Sequence, residues 1–274
     1  MTDFKGKVAI VAGGASGMGL ALCEELGRLG AAVIVADKNA EGANELTTKI
    51  NESGGHARSE KLDVTKAEEV KNIIERTYSD HGQIDYMFNF AGILIVGEVF
   101  DMEIEDWSRI FDVNLKGVAY GTAIAYSIMV KQGFGHIVNM SSYQGLIPAG
   151  AATAYATTKY GVVGLSMSLC SEAAKLGIKV SVVCPGFINT PLFQTADVLK
   201  ADRGEVFSGI PFKLMEAKDA ANVILRGVER NQKIIIFPFY ARLFWYLYRI
   251  HPVLASPLVG GLIKNFRALK EKHR

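Results

Sequence analysis

The sequence predicts an α/β fold, a doubly wound parallel sheet of about seven strands with helices on both faces. Three observations carry this. Short apolar runs alternate with longer amphipathic ones along most of the 274 residues. The short runs are apolar throughout, as strands covered on both faces are. Strand and helix patterns that alternate this way specify right-handed βαβ crossovers. The length suits one large α/β unit.

The first strand, Val8-Ala9-Ile10-Val11, leads through Gly13-Gly14-Ala15-Ser16-Gly17-Met18-Gly19 into a helical pattern over 17–30. Strand, glycine-rich turn and helix N-terminus together supply what a pyrophosphate needs: close backbone approach, unpaired N–H groups and the positive end of a helix dipole. Close packing of helix on strand is the alternative use of the same glycines. The second strand, Ala32–Ala36, runs to Asp37, 18 residues beyond Gly19. A dinucleotide fold places an acid there to accept hydrogen bonds from the adenosine ribose. An anion at this point repels a 2′-phosphate, which favours NAD over NADP. Lys38 next door keeps NADP open, and capping of the following helix is the other role for Asp37.

A helix over 40–53, a strand ending at Leu62-Asp63-Val64, a helix over 67–81 and a strand at Tyr86-Met87-Phe88 follow. A long helical pattern then covers 103–131, before the strand His136–Met140 and a helix over 153–176. Strand Lys179–Val183, helix 217–230 and strand Lys233–Phe237 complete the series. In the helix over 153–176, Tyr155 and Lys159 stand four residues apart and share a face. A fixed cation beside a phenol favours phenolate and pulls the pKa toward the range of an acid–base catalyst. Ser142 ends the preceding strand at the carboxyl edge, where open parallel sheets bind ligands. Its neighbour Ser141 is the rival for the same role. Singly, each has an ordinary explanation as turn cap, surface pair or solvated charge.

Taken in order and at these spacings, the motifs resemble the short-chain dehydrogenase/reductase family over about residues 5–238. The family's Thr-Gly-x-x-x-Gly-x-Gly is met by Ala12 to Gly19, departing only at Ala12. Asp63-Val64 matches an adenine-contacting pair, and Asn89-Phe90-Ala91-Gly92 matches Asn-Asn-Ala-Gly with Phe90 in place of an Asn. The resemblance implies a Rossmann fold and a catalytic tetrad of Asn114, Ser142, Tyr155 and Lys159. It further implies a cofactor site formed by Gly13, Ser16, Gly17, Met18, Gly19, Asp37, Asp63, Val64, Asn89, Ala91 and Gly92. Tyr155, Lys159, Pro185, Gly186, Ile188 and Thr190 complete that site on the nicotinamide side. By the same resemblance Asn114 holds a water linking the lysine to solvent, Lys159 binds the nicotinamide ribose, and 191–213 is a mobile substrate lid. Ser142, Tyr143, Gln144, Tyr155, Leu192 and Phe193 are the candidate substrate contacts. The chemistry implied is hydride transfer between NAD and a hydrophobic secondary alcohol or ketone, in a homodimer or homotetramer built on helices 103–131 and 153–176. An NADP-dependent carbonyl reductase and a non-catalytic NAD-binding scaffold are the alternatives.

Composition narrows the classes. With 49% hydrophobic and 21% charged residues, the chain is neither disordered nor collagen-like. Cys23, Cys170 and Cys184 are widely spaced among apolar neighbours, which predicts reduced thiols and a cytoplasmic setting. The N-terminus lacks the pattern of a signal peptide. The five histidines form no metal-ligand spacing, so no metal is expected. The sequence divides into a catalytic domain, 1–238, and an extension, 239–274. The extension carries seven Lys/Arg against Glu271 alone, a net +6, leaving the first 238 residues at −4. Seven aromatics fall within 237–248, and Phe239, Leu243, Tyr246, Leu247 and Ile250 recur at helical spacing. No run is long and uncharged enough to span a bilayer. A peripheral membrane contact, a cover for the substrate cleft and a subunit interface are the three uses open to it. The acidic body and the clustering of these residues argue against nucleic acid.

Overall fold

The computed structural model describes residues 4–272. The chain alternates β1 (Val8–Ala12), α1 (Gly17–Arg28), β2 (Ala32–Asp37), α2 (Ala40–Glu52), β3 (His56–Lys61), α3 (Ala67–His81) and β4 (Tyr86–Asn89). After the short β5 (Ile95–Val96) come α4 (Ile104–Phe111), α5 (Gly117–Gln132), β6 (Gly135–Met140), α6 (Thr153–Glu172) and β7 (Ile178–Pro185). The two-residue strands β8 (Ile188–Asn189), β9 (Asp197–Val198) and β10 (Met215–Glu216) accompany α7 (Arg203–Ser208) and α8 (Ala217–Glu229). The last elements are β11 (Ile234–Phe237), α9 (Phe239–Ile250) and α10 (Ser256–Lys272).

Seven strands form one sheet in the order β11-β7-β6-β4-β1-β2-β3, every pair parallel. From β1 the chain winds out to β3 on one side. It then returns to β4 and winds to β11 on the other, so the switch point lies between β1 and β4. Ligand clefts open at the carboxyl ends of strands flanking such a switch. Leu22 and Leu26 of α1, Leu46 of α2 and Ile224 of α8 bury one face of the sheet. Ile73 and Ile74 of α3, Met129 of α5 and Leu169 of α6 bury the other.

Three predicted boundaries move, each for a local reason. β3 stops at Lys61 because β2, its partner, stops at Asp37, whose carbonyl accepts the last bond, from Leu62 N at 2.9 Å. Asp63 then turns the chain by accepting from Thr65 N and Thr65 Oγ1 at 3.1 and 2.7 Å. The expected helix 103–131 divides at a single π-helical stretch, Asp112–Lys116, where Asn114 turns inward to bond Ile93. Such wide turns accommodate an extra residue and recur at functional sites. The α-helix from Thr153 ends at Glu172 and tightens to 3₁₀ over Ala173–Lys175.

Buried polar groups join the layers. Asn139 on β6 accepts from Asn89 Nδ2 at 2.8 Å and from Thr122 Oγ1 at 3.1 Å, and donates to Ser166 Oγ at 3.0 Å. One amide thus ties β4, α5 and α6 to the sheet. His136 is buried against Ser181 Oγ at 2.8 Å, and burial pushes its pKa down to about 3, so it is a neutral core residue. Cys23 and Cys184 are buried free thiols.

Residues 239–272 pack on this body. α9 buries Ala241 and sets Phe244, Trp245 and Tyr248 against the cluster around Val118, Tyr143 and Ile236. The stripe seen in the sequence therefore faces outward: Phe239, Leu243, Tyr246 and Ile250 are exposed.

Substituting Asn139 by Ala leaves the Asn89 and Thr122 donors and the Ser166 hydroxyl without their buried partner, and is expected to destabilise the chain by about 2–3 kcal/mol. Urea unfolding checks this; an unchanged midpoint would show that the network is dispensable.

Candidate active site

A continuous cleft of about 1220 Å³ opens above the carboxyl ends of β1, β4, β6 and β7. Its first wall is the glycine loop. Gly13 N and Gly14 N donate to Ala36 O at 2.8 and 3.2 Å, folding the loop over β2. At Gly13, φ is +86° and a Cβ would collide with the Ala91 backbone. At Gly17, φ is +52° and a Cβ would reach within 3.1 Å of Thr190, filling the gap between the loop and the opposite wall. Ser16 begins α1 without a side-chain cap, and no acid stands in the first turn. The helix end therefore offers its N–H groups to an anion in the cleft. These features fit a dinucleotide pyrophosphate, with Ser16, Gly17, Met18 and Gly19 lining that part of the cleft.

Asp37 lies at the end of β2 and lines the cleft. Oδ2 accepts from Ala15 N at 3.0 Å and Oδ1 from Asn39 N at 2.9 Å, so the carboxylate also braces the glycine loop. Helix α2 is capped by Asn39, which accepts from Gly42 N at 3.1 Å, rather than by Asp37. Lys38 stands 3.5 Å from Asp63. Hydrogen bonds from Thr65, reinforced by Lys38, hold the Asp63 carboxyl below the usual range. Asp63, Val64, Ala91 and Gly92 line the cleft beside them.

Asn89 and Asn114 lie behind this wall. Asn89 donates its amide to Asn139 Oδ1 at 2.8 Å, tying β4 to β6. Asn114, fully buried, accepts from Ile93 N at 2.8 Å and donates to Ile93 O at 2.9 Å, so its side chain holds the backbone after β4.

The catalytic candidates converge on the other wall. Ser142 follows β6, accepts from Gln144 N at 3.2 Å and stands near enough to Tyr155 to pull the phenol's pKa downward. The Ser141 hydroxyl donates instead to Lys159 O at 2.8 Å. Lys159 Nζ lies 5.4 Å from the centre of the Tyr155 ring and donates to Met140 O at 3.1 Å. Burial pushes the Tyr155 phenol up to about 12, against the downward pull of Ser142, and pushes Lys159 down to about 8. Desolvation is the largest influence on both groups. Burial thus holds Tyr155 as a neutral phenol.

Pro185, Gly186, Ile188 and Thr190 line the cleft past β7, and Tyr143, Gln144, Leu192 and Phe193 line its apolar end. The cleft is also lined by Asn265, Phe266 and Leu269 of α10, which the sequence does not single out within the extension. Nothing local announces them, since α10 reaches the cleft only through contacts such as Arg267–Glu98, 169 residues apart. Among the described residues, no group of three or more His, Cys, Asp or Glu converges as a metal site.

The sequence matches the family model described as short chain dehydrogenase over residues 7–199. It is 35% identical over 222 residues to a 3-oxoacyl-[acyl-carrier-protein] reductase of Thermotoga maritima, covering 81% of this chain and 89% of that protein. It is 36% identical over 201 residues to a cyclohexanol dehydrogenase of Acinetobacter sp. strain SE19, covering 72% and 80%. A short chain dehydrogenase/reductase from Burkholderia phymatum, solved in complex with NAD, superposes with a TM-score of 0.85 at 23% identity over 93% of this chain and 96% of that one. The apo form of LigD from Sphingobium sp. strain SYK-6 superposes at 0.76 with 27% identity, covering 98% of each chain.

Lys159 titrates near 8 when folded and near 10.5 when unfolded, so between these values the unfolded chain binds more protons and stability rises with pH. Lys159→Met removes the cost of the buried charge. Its stability relative to the unaltered chain is expected to be highest below pH 8 and to lose ground toward pH 10, as read from urea midpoints across that range. A difference that stays constant with pH would contradict the buried ammonium.

Proposed function

Because the chain belongs to the short chain dehydrogenase family and is an oxidoreductase of that family, we propose that it is an NAD(H)-dependent alcohol dehydrogenase or ketoreductase. Its substrate on this reading is a bulky hydrophobic secondary alcohol or its ketone, of steroid, retinoid, fatty-acyl or aromatic-carbinol type. The observation that carries the proposal is the convergence of Ser142, Tyr155 and Lys159 on one wall of a cleft whose opposite wall is a phosphate-binding glycine loop. NAD(H), when bound, supplies the hydride acceptor or donor. The chain's own residues handle the proton and the orientation. Tyr155, held neutral by burial, donates its proton to a carbonyl oxygen in reduction and takes it back in oxidation. Ser142 hydrogen-bonds the same oxygen, and Lys159 binds the nicotinamide ribose hydroxyls with its ammonium. The names of the two relatives support the reaction class: a 3-oxo group is a ketone, and cyclohexanol is a secondary alcohol.

NAD over NADP rests on charge. The Asp37 carboxylate lines the adenosine end, and the one nearby cation identified in the sequence, Lys38, lies against Asp63. A 2′-phosphate there meets two carboxylates. Exposed Ile104 and Tyr160, on α4 and α6, suit the proposed homodimer or homotetramer interface on these helices. We assign catalysis to residues 1–238, with 239–274 as an extension, in a cytoplasmic enzyme whose thiols are free.

The test follows NADH absorbance across secondary alcohols, with parallel titrations of NADH and NADPH. NADH is expected to bind more tightly, and Tyr155→Phe to lower kcat at least about 100-fold while leaving NADH binding intact. Tighter NADPH binding overturns the role of Asp37. An inactive chain that still binds NADH, unaltered by Tyr155→Phe, favours a non-catalytic scaffold.

A peripheral membrane contact through α9 is a second reading favoured by one observation. Phe239 and Ile250 are each 76% exposed, on the same side as Leu243 and Tyr246, with Arg242 and Arg249 beside them. No described helix is long and apolar enough to cross a membrane. An aromatic, apolar face edged by arginines suits the interface of an anionic bilayer. Flotation with liposomes containing phosphatidylserine is expected to carry the full chain upward and to leave the Phe239→Glu, Ile250→Glu double variant behind. Equal recovery of both in the soluble fraction disposes of this contact.

A further inference from the structure

The family model ends at residue 199, so nothing in that match assigns a role to α10. We propose that α10 is the far wall of the substrate cleft, with Phe266 and Leu269 as an apolar shelf that determines which carbinols are bound. The proposal rests on the oxidoreductase reading above and specifies its substrate side.

Three observations place the helix. First, it is pinned at a buried ion cluster. Lys270, 8% exposed, donates to Glu98 Oε2 at 3.3 Å and to Asp101, and lies 4.3 Å over the Phe100 ring. Arg267 Nε donates to Glu98 Oε1 at 2.7 Å. Two cations face two carboxylates, so the cluster is compensated in charge. Losing Lys270 strands the largely buried carboxylates of Glu98 and Asp101, while Arg267 reaches Glu98 from the solvent side. Second, Ile263 presses on the loop before α6, where a Cβ on Gly150 would lie 2.8 Å from the Ile263 Cβ. Third, Lys272 pairs with Glu205 of α7, linking α10 to the segment predicted as the lid.

Between these anchors the face bearing Asn265, Phe266 and Leu269 fronts the cleft. Positions 265, 266 and 269 fall on one side of a helix. Phe266 is buried in the same apolar cluster as Tyr155, Ala151 and Ala152, with Phe193 and Phe207 packed against it. The phenol that transfers the proton and the ring of the far wall therefore bound one continuous apolar space. A small alcohol fills only the part beside Tyr155 and Ser142. A fused-ring or long-chain carbinol also removes the shelf from water, and gains affinity in proportion to the apolar area covered. The shelf thus favours large apolar substrates over small ones, using residues that lie more than a hundred positions beyond Tyr155 in the chain.

The experiment compares the full chain with Phe266→Ala and Leu269→Ala, measuring kcat/KM for a fused-ring secondary alcohol and for 2-propanol, with NADH binding as a check on folding. The expected result is a fall of about tenfold or more in the ratio of the two kcat/KM values for each variant, with NADH binding retained. A ratio unchanged in both variants overturns the proposal. If Phe266→Ala does not fold, the half-buried Leu269 carries the test alone. If the unaltered chain turns over no alcohol, the oxidoreductase reading of the substrate fails separately. The wall is then read from binding of a fluorescent pyrenyl carbinol to the NADH complex. Leu269→Ala is expected to weaken that binding about tenfold, and equal binding by the variant overturns the wall.

Discussion

The site is organised around a deeply buried ammonium at the floor of the cleft. Lys159 is 2% exposed, and its Nζ is bonded to the carbonyl of Met140, the last residue of β6. A buried charge tolerates little displacement, so the surroundings are built to hold it. The Ser141 hydroxyl fastens the Lys159 backbone, and Gly92 stays without a side chain where a Cβ would sit 3.6 Å from Nζ. Asn114 draws in the Ile93 backbone on the opposite side. The π-helical stretch that breaks the long helix is the local consequence, since it turns Asn114 inward.

The same desolvation sets the chemistry. In water a lysine four residues from a tyrosine would make the phenol more acidic. Here the loss of solvent acts on both groups, raising the phenol and lowering the ammonium. Each group is moved toward its uncharged form. Burial by β6 and α6 is the first cause of both shifts.

The segment after β11 closes the structure from outside the family's matched region. α9 sends Tyr240 back toward β7, where its hydroxyl accepts from Phe187 N at 2.6 Å and its ring stacks on Phe212 at 4.1 Å. α10 is bound to the segment after β5 by the Glu98, Asp101, Arg267 and Lys270 cluster. The helical pattern of α9 was visible in the sequence, but its inward face was not. The stripe that reads as one apolar face, Phe239 to Ile250, is the outward one. Phe244, Trp245 and Tyr248, which look incidental between those positions, make the contact with the core.

The order of strands and helices, the glycine loop, Asp37 and the Ser142, Tyr155 and Lys159 set were all legible in the chain, because each depends on short-range spacing: periodicity of burial, turn backbone and helical turns. The motif likewise marks Asn89, but the commitment of its amide to Asn139 depends on the pairing of β4 with β6, which spacing within a motif does not reveal. The break at Asn114, the burial of Tyr155 and Lys159 and the wall at Phe266 and Leu269 were decided only by the tertiary structure. Each arises from contacts between distant residues, such as Lys270 with Glu98 across 172 positions. Burial and its electrostatic cost exist only once the layers have come together.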